Sequence, residues 1–112
     1  MRKFESGATR DTEENKLDYE GFISPRVLER YAEYMNENRI QSDGKVRDSD
    51  NWQKGIPSTA YMKSGFRHFM AWWKEHRDIK TSDGIEKNIC GLIFNAMGYL
   101  DNLLKEQYDK TR

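Results

Sequence analysis

From Ile85 to Leu104 apolar residues recur at helical spacing: Ile85, Ile89, Leu92, Ile93, Ala96, Leu100, Leu103 and Leu104. A period close to 3.6 held over that length excludes a strand and predicts a long helix over about 84–108. Everything else in the chain has to pack around that helix. Ser24-Pro25 opens another, with Ser as N-cap and Pro at the first helical position. Its Leu28, Tyr31, Ala32 and Met35 share one face, and it should fade near Asn38, ahead of the turn-forming Ser42-Asp43-Gly44. Between the two, Pro57 marks a start, since proline cannot lie deep in a helix, and Ser58 or Thr59 can cap. A helix over about 58–76 then carries Met62, Phe66, Phe69 and Trp73 on one stripe, with Tyr61, Gly65 and Trp72 beside it. Ser82-Asp83-Gly84 breaks the chain again.

Residues 1–23 are polar and show no apolar period, although Phe4, Leu17, Tyr19, Phe22 and Ile23 would let them lie along a neighbouring surface. No strand is predicted. The expected architecture is all-α: a three-helix domain over 24–109 behind an N-terminal arm.

Charge excludes some functions. Nineteen basic and nineteen acidic residues cancel, so no global field draws the chain to nucleic acid or to an anionic membrane. A hydrophobic fraction of 36% is lean for a stable monomer of 112 residues, while 12% aromatics argue against disorder. That combination predicts a homo-oligomer that completes its core between subunits. Cys90 stands alone in an apolar run and reads as a packed thiol in a reducing compartment. No run reaches the roughly 18 apolar residues of a membrane span, and the polar start is unlike a signal peptide, so a soluble cytoplasmic protein is expected.

The richest chemistry lies in Arg47-Asp48-Ser49-Asp50-Asn51-Trp52-Gln53-Lys54-Gly55-Ile56-Pro57, followed by Arg67-His68 and Phe94-Asn95-Ala96. Cations for phosphate, a flat ring for a base and an acid for Mg²⁺ or a ribose hydroxyl suit a phosphorylated small molecule. Asp48, Asn51, Trp52, Lys54, Arg67 and Asn95 are the binding candidates. Plain packing roles stand beside these: Trp52 and Trp72 as core anchors, Arg67 in a salt bridge to Glu29 or Glu33, Asn95 in a helix-to-helix hydrogen bond. His68 reads equally as a boundary histidine, and pairing with His76 is weak evidence for a metal. Glu29 and Glu33 are spaced i, i+4, and Glu75 and Asp78 i, i+3. Either pair is a solvated helix face, or together they hold Mg²⁺ if they meet across the bundle. Asn88, Gly91, Asn95 and Tyr99 form a small-residue and amide stripe at the margin of the apolar face. No P-loop and no nucleophilic triad can be assembled.

The order of Gly7-Ala8-Thr9-Arg10-Asp11 and Lys16-Leu17-Asp18-Tyr19, then Pro25 to Glu33, Asp48 to Pro57, Ser64 to Phe69 with Ala71-Trp72, and Leu92 to Ala96 resembles a bacteriophage family, the dATP/dGTP diphosphohydrolase N-terminal domain. More loosely it is similar to the all-α nucleotide pyrophosphohydrolases, whose Mg²⁺ ligands follow ExxE and ExxD patterns. Glu75 to Asp78 fits ExxD, Glu29 to Glu33 is one residue too long for ExxE, and Asn88 stands where family members commonly carry His. The resemblance implies Mg²⁺-dependent hydrolysis of a purine dNTP to dNMP and pyrophosphate in an infected bacterial cell. Glu29, Glu33, Glu75 and Asp78 would hold the metal, with Glu75, Asp78 and His68 as the catalytic set. Arg10, Lys16, Lys54 and Arg67 would meet the substrate with Asp48, Asn51, Trp52 and Asn95. The alternatives are a non-catalytic nucleotide binder that sequesters a host defence signal, and an inhibitor of a host protein.

Overall fold

The computed structural model describes residues 1–111. Two two-residue strands, β1 (Arg2–Lys3) and β2 (Thr9–Arg10), pair antiparallel with Arg2 opposite Arg10. A one-turn helix α1 (Tyr19–Phe22) follows, then α2 (Pro25–Glu37), a 3₁₀ turn (Asn51–Lys54), α3 (Ser58–His76) and α4 (Gly84–Thr111). The arm is therefore not strand-free as expected. Gly7 takes a φ of 92° at the tip of a tight hairpin, and Arg2 reaches Glu13 at 2.6 Å to close it.

The three main helices follow from local chemistry. Ser24 Oγ accepts from the Val27 amide at 3.2 Å, and Pro25 occupies the first turn of α2, where its missing N–H costs nothing. At the start of α3 neither Ser58 nor Thr59 caps. Pro57 takes the N-cap position without a side-chain bond, and Asn102 of α4 instead donates to the Ile56 carbonyl at 2.9 Å and to Ser58 Oγ at 3.2 Å. The C-terminus of α3 closes with Asp78 at a φ of 62°, its amide bonding to Glu75 O at 3.0 Å, while the Ile79 amide bonds to Lys74 O at 2.8 Å. This pair of bonds is a Schellman motif, and it ends the helix at His76.

Helices α3 and α4 form an antiparallel hairpin in which Tyr61 meets Gly98, His68 meets Gly91 and Ser58 meets Asn102. The packing differs from the expected one. The bulky stripe of α3 lies open, with Met62, Phe66, Phe69 and Trp73 each 45–62% exposed, and the helix docks through Tyr61, Gly65 and His68. On α4 Asn88, Gly91 and Asn95 of the small-residue and amide stripe are buried together with Gly98, and Tyr99 is half-buried, whereas Ile85, Leu100, Leu103 and Leu104 are exposed. Small residues let two backbones approach closely, so the hairpin closes on its glycines and leaves its large apolar groups without a partner in one copy. Helix α2 leans on α4 through Arg30 to Glu86 at 3.0 Å and Lys87 to Glu37 at 3.6 Å. Cys90 is buried as expected, at 5% exposure, and burial pushes its thiol pKa up.

The chain is extended for its length. Its radius of gyration is 19.2 Å, against roughly 13 Å for a compact domain of about 100 residues. No helix among the described residues is long and apolar enough to cross a membrane.

Tyr61 is the best-buried aromatic, at 3% exposure, edge-on to Phe94 at 5.8 Å. A Cβ at position 98 would overlap its ring. Gly98→Ala adds up to about 1 kcal/mol of helix propensity but forces the ring out, a cost of roughly 1–3 kcal/mol. We expect a net loss in urea denaturation, and an unchanged midpoint would contradict this packing.

Candidate functional site

The segment between α2 and α3 folds into a second hairpin. Ile40 and Val46 form an antiparallel bridge, Gly44 turns at a φ of 84°, and Asp43 Oδ1 accepts from the Lys45 amide at 2.9 Å. Its base brings Arg39 and Arg47 together: the Arg47 amide donates to Arg39 O, and Arg39 Nε returns a bond to Arg47 O, each at 2.8 Å. Arg47 Nη2 donates to Asn38 O at 2.5 Å. Both guanidiniums are thus aimed by main-chain carbonyls, and neither has a carboxylate partner among the described residues.

These arginines stand on the wall of a cleft of about 540 Å³, enclosed by α2, the hairpin, the 3₁₀ turn and the α3–α4 pair. Tyr31, Tyr34, Asn51, Trp52, His68, Phe94 and Asn95 also line it, and Asp48 is its one acidic side chain. Two cations against one anion, beside flat aromatic walls, make a cleft suited to an anionic ligand with a planar group. Trp52 already carries the Lys105 ammonium 5.7 Å from its ring centroid.

Burial raises the phenols. Tyr31 is pushed up to about 12, chiefly by desolvation, and its hydroxyl is buried with no hydrogen-bond partner among the described residues. Tyr34 shifts upward for the same reason.

Asn88 and His68 meet across the hairpin, His68 Nδ1 to Asn88 Oδ1 at 3.1 Å. Asn95 is 6% exposed, and its Nδ2 donates to Gly91 O at 2.7 Å, one turn back in its own helix, so its expected helix-to-helix bond is replaced by that of Asn88.

Of the residues read from sequence, Asp48, Asn51, Trp52, His68 and Asn95 gather in this cleft. Arg10, Lys16, Lys54 and Arg67 are exposed and line no part of it. Arg67 forms no salt bridge to Glu29 or Glu33 either, since it projects from the outer face of α3.

The four carboxylates proposed for Mg²⁺ do not converge. Among the described residues no three His, Cys, Asp or Glu side chains stand close enough to hold a metal ion. Glu29 and Glu33 are exposed on α2 outside the cleft. Glu75 Oε1 is engaged by the Thr81 amide at 2.7 Å and by Thr81 Oγ1 at 3.0 Å. Asp78 shares no helix face with Glu75, because the Schellman turn intervenes. A Mg²⁺ site built from these four carboxylates therefore does not fit a single copy.

The sequence does not single out Arg39, Tyr31 or Tyr34 as site residues, and it shows Arg47 only as the first residue of the polar segment. The signal available was the Ser42-Asp43-Gly44 turn, which places two arginines eight residues apart on opposite arms of a hairpin.

Raised phenol pKa values predict the alkaline limit of stability. The unfolded chain releases phenol protons from about pH 10, while the native state retains them to about 12 at Tyr31, so deprotonation favours unfolding across that window. The melting temperature should fall steeply between pH 10 and 12 in the wild type and less so in Tyr31→Phe. Equal slopes would place Tyr31 in solvent.

Searches of the curated proteins and of the solved structures return no match. A family model does match, that of dATP/dGTP diphosphohydrolase, N-terminal, over residues 6–111. That span covers the arm from Ser6 onward, the arginine hairpin, the 3₁₀ turn and all three long helices, and the chain belongs to this family.

Proposed function

We propose that the cleft between α2, the arginine hairpin and the α3–α4 pair binds a purine deoxynucleoside triphosphate. On this reading the chain serves its hydrolysis to dNMP and pyrophosphate in the cytoplasm of an infected bacterium. One observation carries the binding half: Arg39 and Arg47, aimed by main-chain carbonyls and free of carboxylates, share a cavity with Trp52, Tyr31 and Tyr34. Guanidinium forks match phosphate oxygens, and an aromatic wall gives a base a face to stack on. The hydrolytic half is supported by the family description alone.

Magnesium belongs to this reading as the ion that accompanies the triphosphate. Such an ion needs one or two carboxylates beside the phosphates and its own waters. Asp48 is the carboxylate that the cleft offers.

Thermal stability against purine and pyrimidine dNTPs, with and without Mg²⁺ and with the ligand recovered by chromatography, tests both halves. A purine dNTP at 100 times its Kd should add about 2.7 kcal/mol of stability. Arg39→Ala and Arg47→Ala should each weaken binding roughly tenfold or more, the worth of one charge-assisted hydrogen bond. Recovery of dNMP and pyrophosphate supports hydrolysis, recovery of intact ligand makes the chain a binder, and no stabilisation by any nucleotide rejects the cleft.

We also propose that the chain assembles with further copies of itself. A groove of about 440 Å³ on the other side of the α3–α4 pair is lined by Met62, Phe66, Phe69, Leu100 and Leu103. Sedimentation should give a multiple of 13.3 kDa, and Phe66→Glu should reduce it. A wild-type monomer at micromolar concentration would contradict the assembly.

A further inference from the structure

One polar chain runs through the α3–α4 junction, and its hydrogen atoms can be placed by elimination. The Gly84 carbonyl can only accept, and it lies 2.8 Å from Asn88 Nδ2. A flipped Asn88 amide would set oxygen against oxygen there, so Nδ2 is the atom that faces Gly84. Its second proton points to Thr81 Oγ1 at 3.3 Å. Thr81 Oγ1 also accepts from the Gly84 amide at 3.3 Å, which fills its two lone pairs, and its one proton goes to Glu75 Oε1 at 3.0 Å. With both Asn88 donors committed, Oδ1 faces His68 Nδ1 at 3.1 Å as an acceptor. The proton between them belongs to the histidine. A neutral His68 therefore carries it on Nδ1 and keeps a lone pair on Nε2.

The ring itself is held in place. It lies against Gly91, where a Cβ would come within 2.5 Å of Cε1. Asn88 is 4% exposed, so water does not compete for the link. Nε2 has no partner among the described residues, and His68 lines the cleft. The ring of the other histidine, His76, is exposed and has no hydrogen-bond partner among the described residues.

We infer that Glu75, Thr81 and Asn88 are positioning residues that fix His68 in the Nδ1–H tautomer, so that Nε2 is a preset hydrogen-bond acceptor for an N–H or O–H donor of the bound nucleotide. The ligand half of this inference rests on the cleft being the nucleotide site; the tautomer half does not. It also gives Glu75 a task other than metal binding. The carboxylate sits at the far end of the chain and orients Thr81, which orients Asn88.

Long-range ¹H–¹⁵N correlation spectra of the histidine-labelled 112-residue chain, at a pH where both rings are neutral, read the tautomers directly. Only two imidazoles are present, and His76 serves as the internal reference. His68 should show the Nδ1–H pattern and His76 the Nε2–H pattern usual for a free ring. Asn88→Leu should move His68 toward the His76 pattern and Thr81→Val should move it only part of the way, since the Gly84 carbonyl still holds Nδ2, while Asn88→Gln, which keeps the amide, should retain part of the Nδ1–H population. The Thr81 variant keeps the test open should Asn88→Leu fail to fold. His68 in the Nε2–H tautomer in the wild type would overturn the inference.

The ligand half is read by titrating dGTP against wild type and His68→Phe. A loss of about tenfold is expected for one hydrogen bond of ordinary strength. Equal affinities would overturn the acceptor role. Repeating the titration with 2′,3′-dideoxy-GTP assigns the donor: a preserved penalty places it on the base, an abolished one on the 3′-hydroxyl. Failure of wild type to bind any nucleotide, with the Nδ1–H pattern intact, would reject the cleft reading and leave the tautomer chain standing.

Discussion

The close approach of α3 and α4 is the constraint on which the rest of the structure depends. It is made by Gly91 and Gly98, which let the rings of His68 and Tyr61 lie directly against the α4 backbone. Because the contact runs through small residues and amides, polar groups are drawn into the junction and must be satisfied there. Asn88, Thr81 and Glu75 satisfy one another and the start of α4, and that same network aims the His68 ring. On one side of the junction α2 and the arginine hairpin complete the cleft that carries Arg39, Arg47 and His68 among aromatic walls. On the other, the bulky apolar stripes of both helices remain open.

Much of this was legible from residue order. Ser24-Pro25, Pro57 and the two Ser-Asp-Gly turns mark the helix boundaries, and each has a local cause that needs no knowledge of the fold. Solvated and buried faces were harder to tell apart. Periodicity says which stripe is apolar, but not whether a partner within one chain covers it. The Phe66–Phe69–Trp73 stripe lies open in one copy, and the Asn88–Gly91–Asn95 stripe, expected at the margin of the apolar face, is buried. Glycines opposite rings decide such cases, and opposition across a hairpin is a tertiary fact.

The site divides in the same way. Asp48, Asn51, Trp52, His68 and Asn95 stood out because unlike polar types crowd into short segments, and the fold gathers them. The four carboxylates of the metal set stand apart in one copy because Glu29 and Glu33 are exposed on α2, while Asp78 adopts a left-handed backbone and leaves the face of Glu75. Arg39 was passed over because its value comes from Arg47 across the hairpin, not from its own neighbours in sequence. A cation becomes a phosphate ligand through what aims it and through the absence of a competing carboxylate, and neither is visible in a string of letters.

Amide chemical-shift mapping during titration with a purine dNTP tests the central claim most directly, because it locates the ligand without presuming an activity. The account predicts perturbations centred on Tyr31, Arg39, Arg47, Asn51, Trp52 and His68, with Phe66 and Leu103 in the apolar groove unmoved. Shifts centred on the groove, or on the exposed Arg10, Lys16 and Arg67, would contradict it.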